Sequence, residues 1–241
     1  KKQLEQKPIE LHFQPESHTD GIGTYFREYL RDFMKSWVKD NKKSDGSEYD
    51  IYKDGLKIYT TIDSRMQLYA EEAVTKHLTN LQIELSGQHK NNKNAPFVNI
   101  SDAETEKLMR NAMKNSSRWK LMKADDKSEE EIIKSFGVKT KMKVFTWKGE
   151  RDTIMTPTDS IRYYKSFLQA GMMAMEPQTG HIKVWVGGIN YKYFQYDHVG
   201  QGARQVGSTF KPFVYATAIE QLNMSPCDSI IDSPFMIHKG R

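Results

Sequence analysis

Arg204-Gln205-Val206-Gly207-Ser208-Thr209-Phe210-Lys211-Pro212-Phe213 sets a serine and a lysine three residues apart, directly after a glycine and where a helical pattern begins. One helical turn brings the two side chains onto the same face. A lysine held neutral there takes the proton of the serine, and the serine becomes a nucleophile able to form an acyl-enzyme. The four letters alone are weak, because a chain this long should hold roughly one Ser-x-x-Lys by chance. This chain holds three, at Ser36–Lys39, Ser117–Lys120 and Ser208–Lys211. Ser36–Lys39 falls inside an amphipathic helix beside Trp37 and Val38 and reads as a solvated face. Ser117–Lys120 sits in a polar stretch with no strand–turn–helix context. Only Ser208–Lys211 has a glycine before it, a proline after it and a hairpin pattern upstream.

That hairpin pattern is Ala170-Gly171-Met172-Met173-Ala174-Met175-Glu176-Pro177-Gln178-Thr179-Gly180-His181-Ile182-Lys183-Val184-Trp185-Val186-Gly187-Gly188. It resembles the first hairpin of class A penicillin-binding proteins, in which an acidic-Pro-x-Thr-Gly turn leads to a strand ending in Val-Gly-Gly. Ser-x-x-Lys is the nucleophile motif of that family. Gly55-Leu56-Lys57-Ile58-Tyr59-Thr60-Thr61-Ile62-Asp63 resembles the family's strand leading into the transpeptidase region. Thr156-Pro157-Thr158-Asp159-Ser160-Ile161-Arg162-Tyr163-Tyr164 and the helix carrying Tyr25-Phe26 are also similar. The likeness spans most of residues 22 to 241 and is weakest from about 84 to 127. Val206 departs from it, since many relatives have proline there, and this changes the stiffness of the turn more than its chemistry.

The resemblance implies an α+β fold, an incomplete transpeptidase (antiparallel sheet flanked by helices) preceded by a mixed helical and β linker region. It divides the chain into a connector with an amphipathic helix (1–50), a linker or pedestal (51–170) and the first part of a transpeptidase domain with the nucleophile helix (171–241). Ser208 is implied as nucleophile and Lys211 as general base; no substrate-binding residue is assigned. The family's later motifs, Ser-x-Asn and Lys-Thr-Gly, do not follow Ser208 in this sequence. Lys139-Thr140-Lys141 lies upstream and reads as chance, and Gln178-Thr179-Gly180 as a hairpin turn. An upstream glycosyltransferase domain is not seen either. The chain is therefore expected to be an internal piece of a bifunctional enzyme of peptidoglycan synthesis, and inactive or poorly active alone. Implied partners are peptidoglycan stem peptides and glycan strands, β-lactams, and a membrane reached through an anchor outside these residues. The implied location is the extracytoplasmic face of a bacterial cell membrane. Two alternatives stay open: a β-lactam-hydrolysing or sensing serine enzyme, and a non-catalytic spacer or docking piece.

Composition limits the other classes. Hydrophobic residues make up 37% of 241, and mean hydropathy is −0.73, which suits an elongated, linker-rich piece better than one compact core. No run of about 18 apolar residues exists and no signal peptide is visible. Net charge is +5 with pI near 9.0, an ordinary surface excess that would also favour an anionic membrane or cell-wall polymer. Lys and Arg are spread out without a recognition motif, so nucleic acid is not an expected partner. Cys227 is the only cysteine and forms no internal disulfide; the histidine spacing offers no metal site, and no cofactor is expected. Asp197-His198, ten residues before Ser208, invites a Ser-His-Asp triad, but proximity in sequence is no evidence for that geometry. Arg204 reads as a structural ion pair before it reads as a substrate contact.

Local patterns place the remaining elements. Residues 24–38 read as a helix whose Tyr25, Phe26, Tyr29, Leu30, Phe33, Met34, Trp37 and Val38 form one broad face needing burial. Leu56, Ile58 and Thr60 alternate as a half-buried strand would. Asp63 caps the next helix, with Met66, Tyr69, Ala70, Ala73, His77, Leu78 and Leu81 as its inward stripe and His77 as a structural histidine. Ser86–Ala95 reads as a loop. Capping boxes at Ser101–Glu104 and Ser128–Glu131 start two short helices. A hairpin turns about Lys148-Gly149-Glu150. Thr156 and Pro157 start a helix that stops at Gly171. Strands near 172–176 and 181–187 precede a helix over 208–222, packed on the sheet through Phe210, Val214 and Ala218 with Ser208 as its N-cap.

Overall fold

The computed structural model describes residues 17–229 and 231–232. They fall into two compact units, one ending at Gln201 and one starting at Gly202. The first unit opens with α1 (Thr24–Asp40) and α2 (Ser64–Gln88). Three short helices follow: α3 (Asp102–Asn115), α4 (Ser117–Ala124) and α5 (Glu129–Phe136). Strands β1 (Thr140–Thr146) and β2 (Gly149–Met155) form an antiparallel hairpin, and α6 (Pro157–Lys165) leads to a second hairpin, β3 (Met172–Met175) and β4 (Ile182–Val186). The second unit holds a 3-10 turn (Gly207–Phe210) running into α7 (Lys211–Leu222). The result is a mixed α+β fold with two two-stranded antiparallel sheets, as the sequence implied.

Side chains next to each helix start decide where the helices begin. Asp63 accepts from the backbone N–H of Arg65 and Met66, each at 3.0 Å. Ser101–Glu104 and Ser128–Glu131 form complete capping boxes, and Thr156 accepts from Asp159 N–H ahead of Pro157. Each cap satisfies donors that the first helical turn leaves without a partner. α6 ends at Lys165, six residues before the expected stop at Gly171, because Ser166 closes its last turn through Tyr163 and Tyr164 carbonyls. α2 runs to Gln88, three residues into the expected loop.

α2 packs along β4. Ala70, Val184 and Val186 form a buried cluster, with Val74 and Ala174 against it. The inward face of α2 differs from the apolar stripe. Its buried residues are Gln67, Ala70, Leu78 and Gln82, while Met66 and Tyr69 are exposed and His77 faces solvent rather than the core. The glutamines bury because each finds backbone partners. Gln67 Oε1 accepts from Trp185 N–H at 2.7 Å, and its Nε2 donates to Trp185 C=O at 2.8 Å. One side-chain amide thus pairs with β4 as a neighbouring strand would. Gln67 Nε2 also donates to Glu71, which accepts from Gly23 N–H at the start of α1. Gln82 donates to Ser166 C=O and accepts from Leu168 N–H, tying the segment after α6 to α2.

Gly187-Gly188 ends β4 against the ring of Tyr25. A Cβ on either glycine would lie 2.7 Å from a Tyr25 ring carbon, closer than carbon atoms approach. The Tyr25 hydroxyl donates to Phe194 C=O at 2.5 Å, and burial pushes its pKa above the ordinary range. Phe26 and Tyr29 lie over Trp185, with ring centroids 6.1 and 4.8 Å away. The broad face of α1 is only partly covered: Tyr25 and Met34 are buried, whereas Tyr29 and Phe33 are 49% and 53% exposed.

Residues 56–62 form no strand, contrary to the alternation of Leu56, Ile58 and Thr60. Among the described residues no strand offers them a ladder. Only Thr61 Oγ1, donating to Ile182 C=O, and Asp63 N–H, donating to Lys183 C=O, reach the start of β4.

Ile132 and Phe136 of α5 and Val144 and Phe145 of β1 are also buried. Phe145 also meets Trp147, Phe167, Tyr193 and Phe194 at centroid distances of 5.2–5.9 Å. Its backbone is paired by two tyrosines of α6: Tyr163 donates to its C=O and the Tyr164 oxygen accepts from its N–H.

Candidate active site

Gly207 adopts a left-handed backbone with φ of 53°, which glycine takes without the strain a Cβ brings. The chain then tightens into the 3-10 turn that carries Ser208. Val206 C=O accepts from both the N–H and the hydroxyl of Thr209, at 3.2 and 2.5 Å. Lys211 N–H donates to Ser208 C=O, so one i to i+3 bond links the backbones of the two sequence-predicted site residues. Lys211 is the first residue of α7 and Pro212 sits in the first turn, where a missing N–H costs least. Ser208 is therefore inside the turn preceding the helix and is not its N-cap; the 3-10 turn and α7 have no side-chain cap. Asn223, at φ of 52°, ends α7 with its N–H on Ala218 C=O.

Ser208 and Lys211 are both exposed. So are Phe210 and Val214, at 52% and 51%, and Ala218 is half-buried. α7 has no buried residue.

The other sequence candidates have structural duties. Asp197 is 8% exposed and accepts from Trp185 Nε1 at 3.0 Å and from the N–H groups of Val199 and Gly200 at 2.9 and 3.1 Å. Its carboxylate holds the loop after β4 onto Trp185. His198 donates its N–H to Gly187 C=O, and its ring meets Tyr196 edge-on. Arg204 is exposed and forms no ion pair among the described residues.

Residues 92–168 match the model of the penicillin-binding protein middle domain. A penicillin-binding protein 1A of Rickettsia bellii is 26% identical over 99% of this chain and 31% of its own length. Proteins of the same name from Aquifex aeolicus and Vibrio cholerae are 27% and 24% identical, each over 80% of this chain and 26% and 27% of their own lengths. The chain is thus similar to penicillin-binding proteins 1A, and its residues 92–168 to the penicillin-binding protein middle domain. It spans less than a third of the length of these relatives. The middle-domain match covers α3 to α6 and the first hairpin, and ends three residues past Lys165. No solved structure matches the chain. Among the described residues no helix is long and apolar enough to cross a membrane.

Sequence reasoning missed Gln67 and Gln82 and the structural role of Asp197, buried polar side chains that hold β4 and the segments beside it. Their partners lie 118, 84 and 12 residues away (counting Trp185 for Gln67 and Asp197), and no local spacing points to a buried glutamine.

Proposed function

We propose that this chain is the part of a peptidoglycan-synthesising penicillin-binding enzyme that supplies the acylating serine. Ser208 attacks the carbonyl of the penultimate D-Ala of a stem peptide, D-Ala leaves, and the acyl group passes to an amine of a neighbouring stem. Lys211 accepts the serine proton. The observation carrying this reading is the Gly207-Ser208-Thr209-Phe210-Lys211-Pro212 turn, in which a glycine-hinged 3-10 turn delivers a serine to the mouth of a helix whose first residue is the lysine. β-Lactams acylate the same oxygen. Residues 51–170 act as a pedestal, a division supported by the middle-domain match inside that range. Glycosyltransferase activity, the membrane anchor and the extracytoplasmic location belong to the whole protein.

Labelling by a fluorescent penicillin tests the assignment. Ser208→Ala should abolish covalent label on a full-length protein carrying this segment, and peptide mapping should place the adduct on the Ser208 peptide. Label that survives the substitution removes Ser208 from the role. Rapid release of the bound acyl group would move the reading to a hydrolytic serine enzyme.

A further inference from the structure

A cavity of about 490 Å³ lies in the stretch that matches the middle-domain model, lined by α3, α5, α6 and Asn94. Its volume falls in the range of about 300–1,000 Å³ usual for binding sites. Met109 and Met113 of α3 and Ile133 of α5 bring apolar side chains to it. Its lining on α3 starts at Asp102 and ends at Met113. At the rise of an α-helix that stretch is about 16 Å long and makes about three turns. The site is therefore a groove along a helix, suited to an elongated partner.

Charges on α3 are ordered along the groove. Asp102, Glu106 and Arg110 follow one another at four-residue steps, so two acids and then a base occupy successive turns of one helix face. All three are exposed. Glu106 is in no ion pair among the described residues. Asp102 accepts from Asn94 Nδ2 at 2.8 Å, a bond to a neutral amide that leaves its charge uncountered. Arg110 meets Glu129 at 3.4 Å, and Lys114 shares that carboxylate. Arg162 of α6, also in the lining, is committed within the chain: it donates to Ala95 C=O and its guanidinium lies over the Phe97 ring. The methionines are flexible and polarisable, and adapt to the apolar side chain that meets them.

We infer that this groove receives an amphipathic helix of a partner protein, laid antiparallel to α3. Its aliphatic side chains meet Met109, Met113 and Ile133, a carboxylate meets Arg110, and cationic side chains meet Glu106 and Asp102. The order of charges sets the direction. An acid near the start of the partner helix and bases toward its end suit its own dipole. Glutamate four residues before lysine also stabilises the free helix. That order reaches Arg110 first and Asp102 last only when the two helices run in opposite directions. A lipid tail fills the apolar wall but leaves the ordered charges without partners. A helix of one charge sign meets repulsion at one end of the groove. The inference uses no residue of the acylation turn and stands independently of it.

Fluorescence anisotropy with the full chain and two labelled peptides of about 15 residues, long enough to populate a helix, tests this. Both peptides carry leucines at alternating three- and four-residue steps. The first has a glutamate and then two lysines at four-residue steps; the second has lysine and then two glutamates at the same positions. The first should bind saturably, with half-saturation below about 100 μM, and the second at least about fivefold more weakly. Raising salt should narrow that gap. Glu106→Lys combined with Arg110→Glu should invert the preference, which removes any difference in the helicity of the free peptides as its cause. Unlabelled first peptide should displace the label, and laurate at the same concentration should not. No saturable binding, equal binding of the two peptides, or an unchanged preference in the double variant overturns the inference. Equal displacement by laurate makes the groove a site for acyl chains and overturns it too. The two peptides and laurate on the unmodified chain decide the matter even where the variant unfolds.

Discussion

Gln67→Leu removes the amide that pairs with β4 while keeping the volume close to native. Gln67 is fully buried, and Trp185, whose N–H and C=O it holds, is 6% exposed. Leucine leaves both backbone groups of Trp185 without that side-chain partner in a place water does not reach. Each unsatisfied buried polar group costs about 1–3 kcal/mol, partly offset by burying an apolar side chain instead of a polar one. The net loss should be about 2–4 kcal/mol. For a chain of this size 1 kcal/mol shifts Tm by about 2–4 °C, so Tm should fall by about 5–15 °C. Circular dichroism during heating and urea titration measure this, with Glu72→Ala on the exposed side of α2 as a control expected within about 0.5 kcal/mol of native. Hydrogen exchange at the Trp185 amide adds a local readout, since loss of Gln67 should free that proton first. If Gln67→Leu unfolds within about 0.5 kcal/mol of native, the amide does not act as a strand substitute and the account of β4 is wrong.

Gly188→Ala should destabilise by about 1–3 kcal/mol, because the added Cβ meets the Tyr25 ring; a native Tm would show that the close approach is not real. Asp63 has its pKa lowered chiefly by the Met66 N–H bond, so its capping stability is present above the ordinary carboxylate pKa and fades as pH falls through the lower folded value. The Tm gap between native and Asp63→Ala should therefore be widest near pH 7 and close as pH falls below about 4; a gap that widens on acidification contradicts the cap. With Lys211 exposed, the 241-residue chain should be acylated by labelled penicillin at least about a hundredfold more slowly than a full-length family protein carrying this segment; equal second-order rates would show that the exposed lysine already serves as base.

The local features were legible because their causes are local. Asp63, Ser101 with Glu104, Ser128 with Glu131, and Thr156 before Pro157 each act within one turn of chain, and all four helix starts fall where those residues put them. The 172–187 hairpin was legible for the same reason: alternation on both sides of a Pro-x-Thr-Gly turn needs no distant partner. The alternation of Leu56, Ile58 and Thr60 is just as local, yet a strand exists only when another strand pairs with it, and none does so here among the described residues. Ser208 and Lys211 came from a motif and its neighbours, and the turn geometry is what that spacing allows.

By itself the sequence determined where helices start, where chains turn, which residue types stand together at Ser208 and Lys211, and the family likeness that they carry. Tertiary structure alone decided which face of α2 is inside. Hydrophobic spacing chose Met66, Tyr69 and His77, but the buried residues include Gln67 and Gln82, because backbone groups more than 80 residues away need the partners that only these amides supply. It also decided that Asp197 clamps Trp185, and that Gly187 and Gly188 are bare so that Tyr25 can close on them. The physical reason is one of range. Caps and turns are settled by bonds within a few residues, whereas the worth of a buried polar group depends on what the folded chain places opposite it.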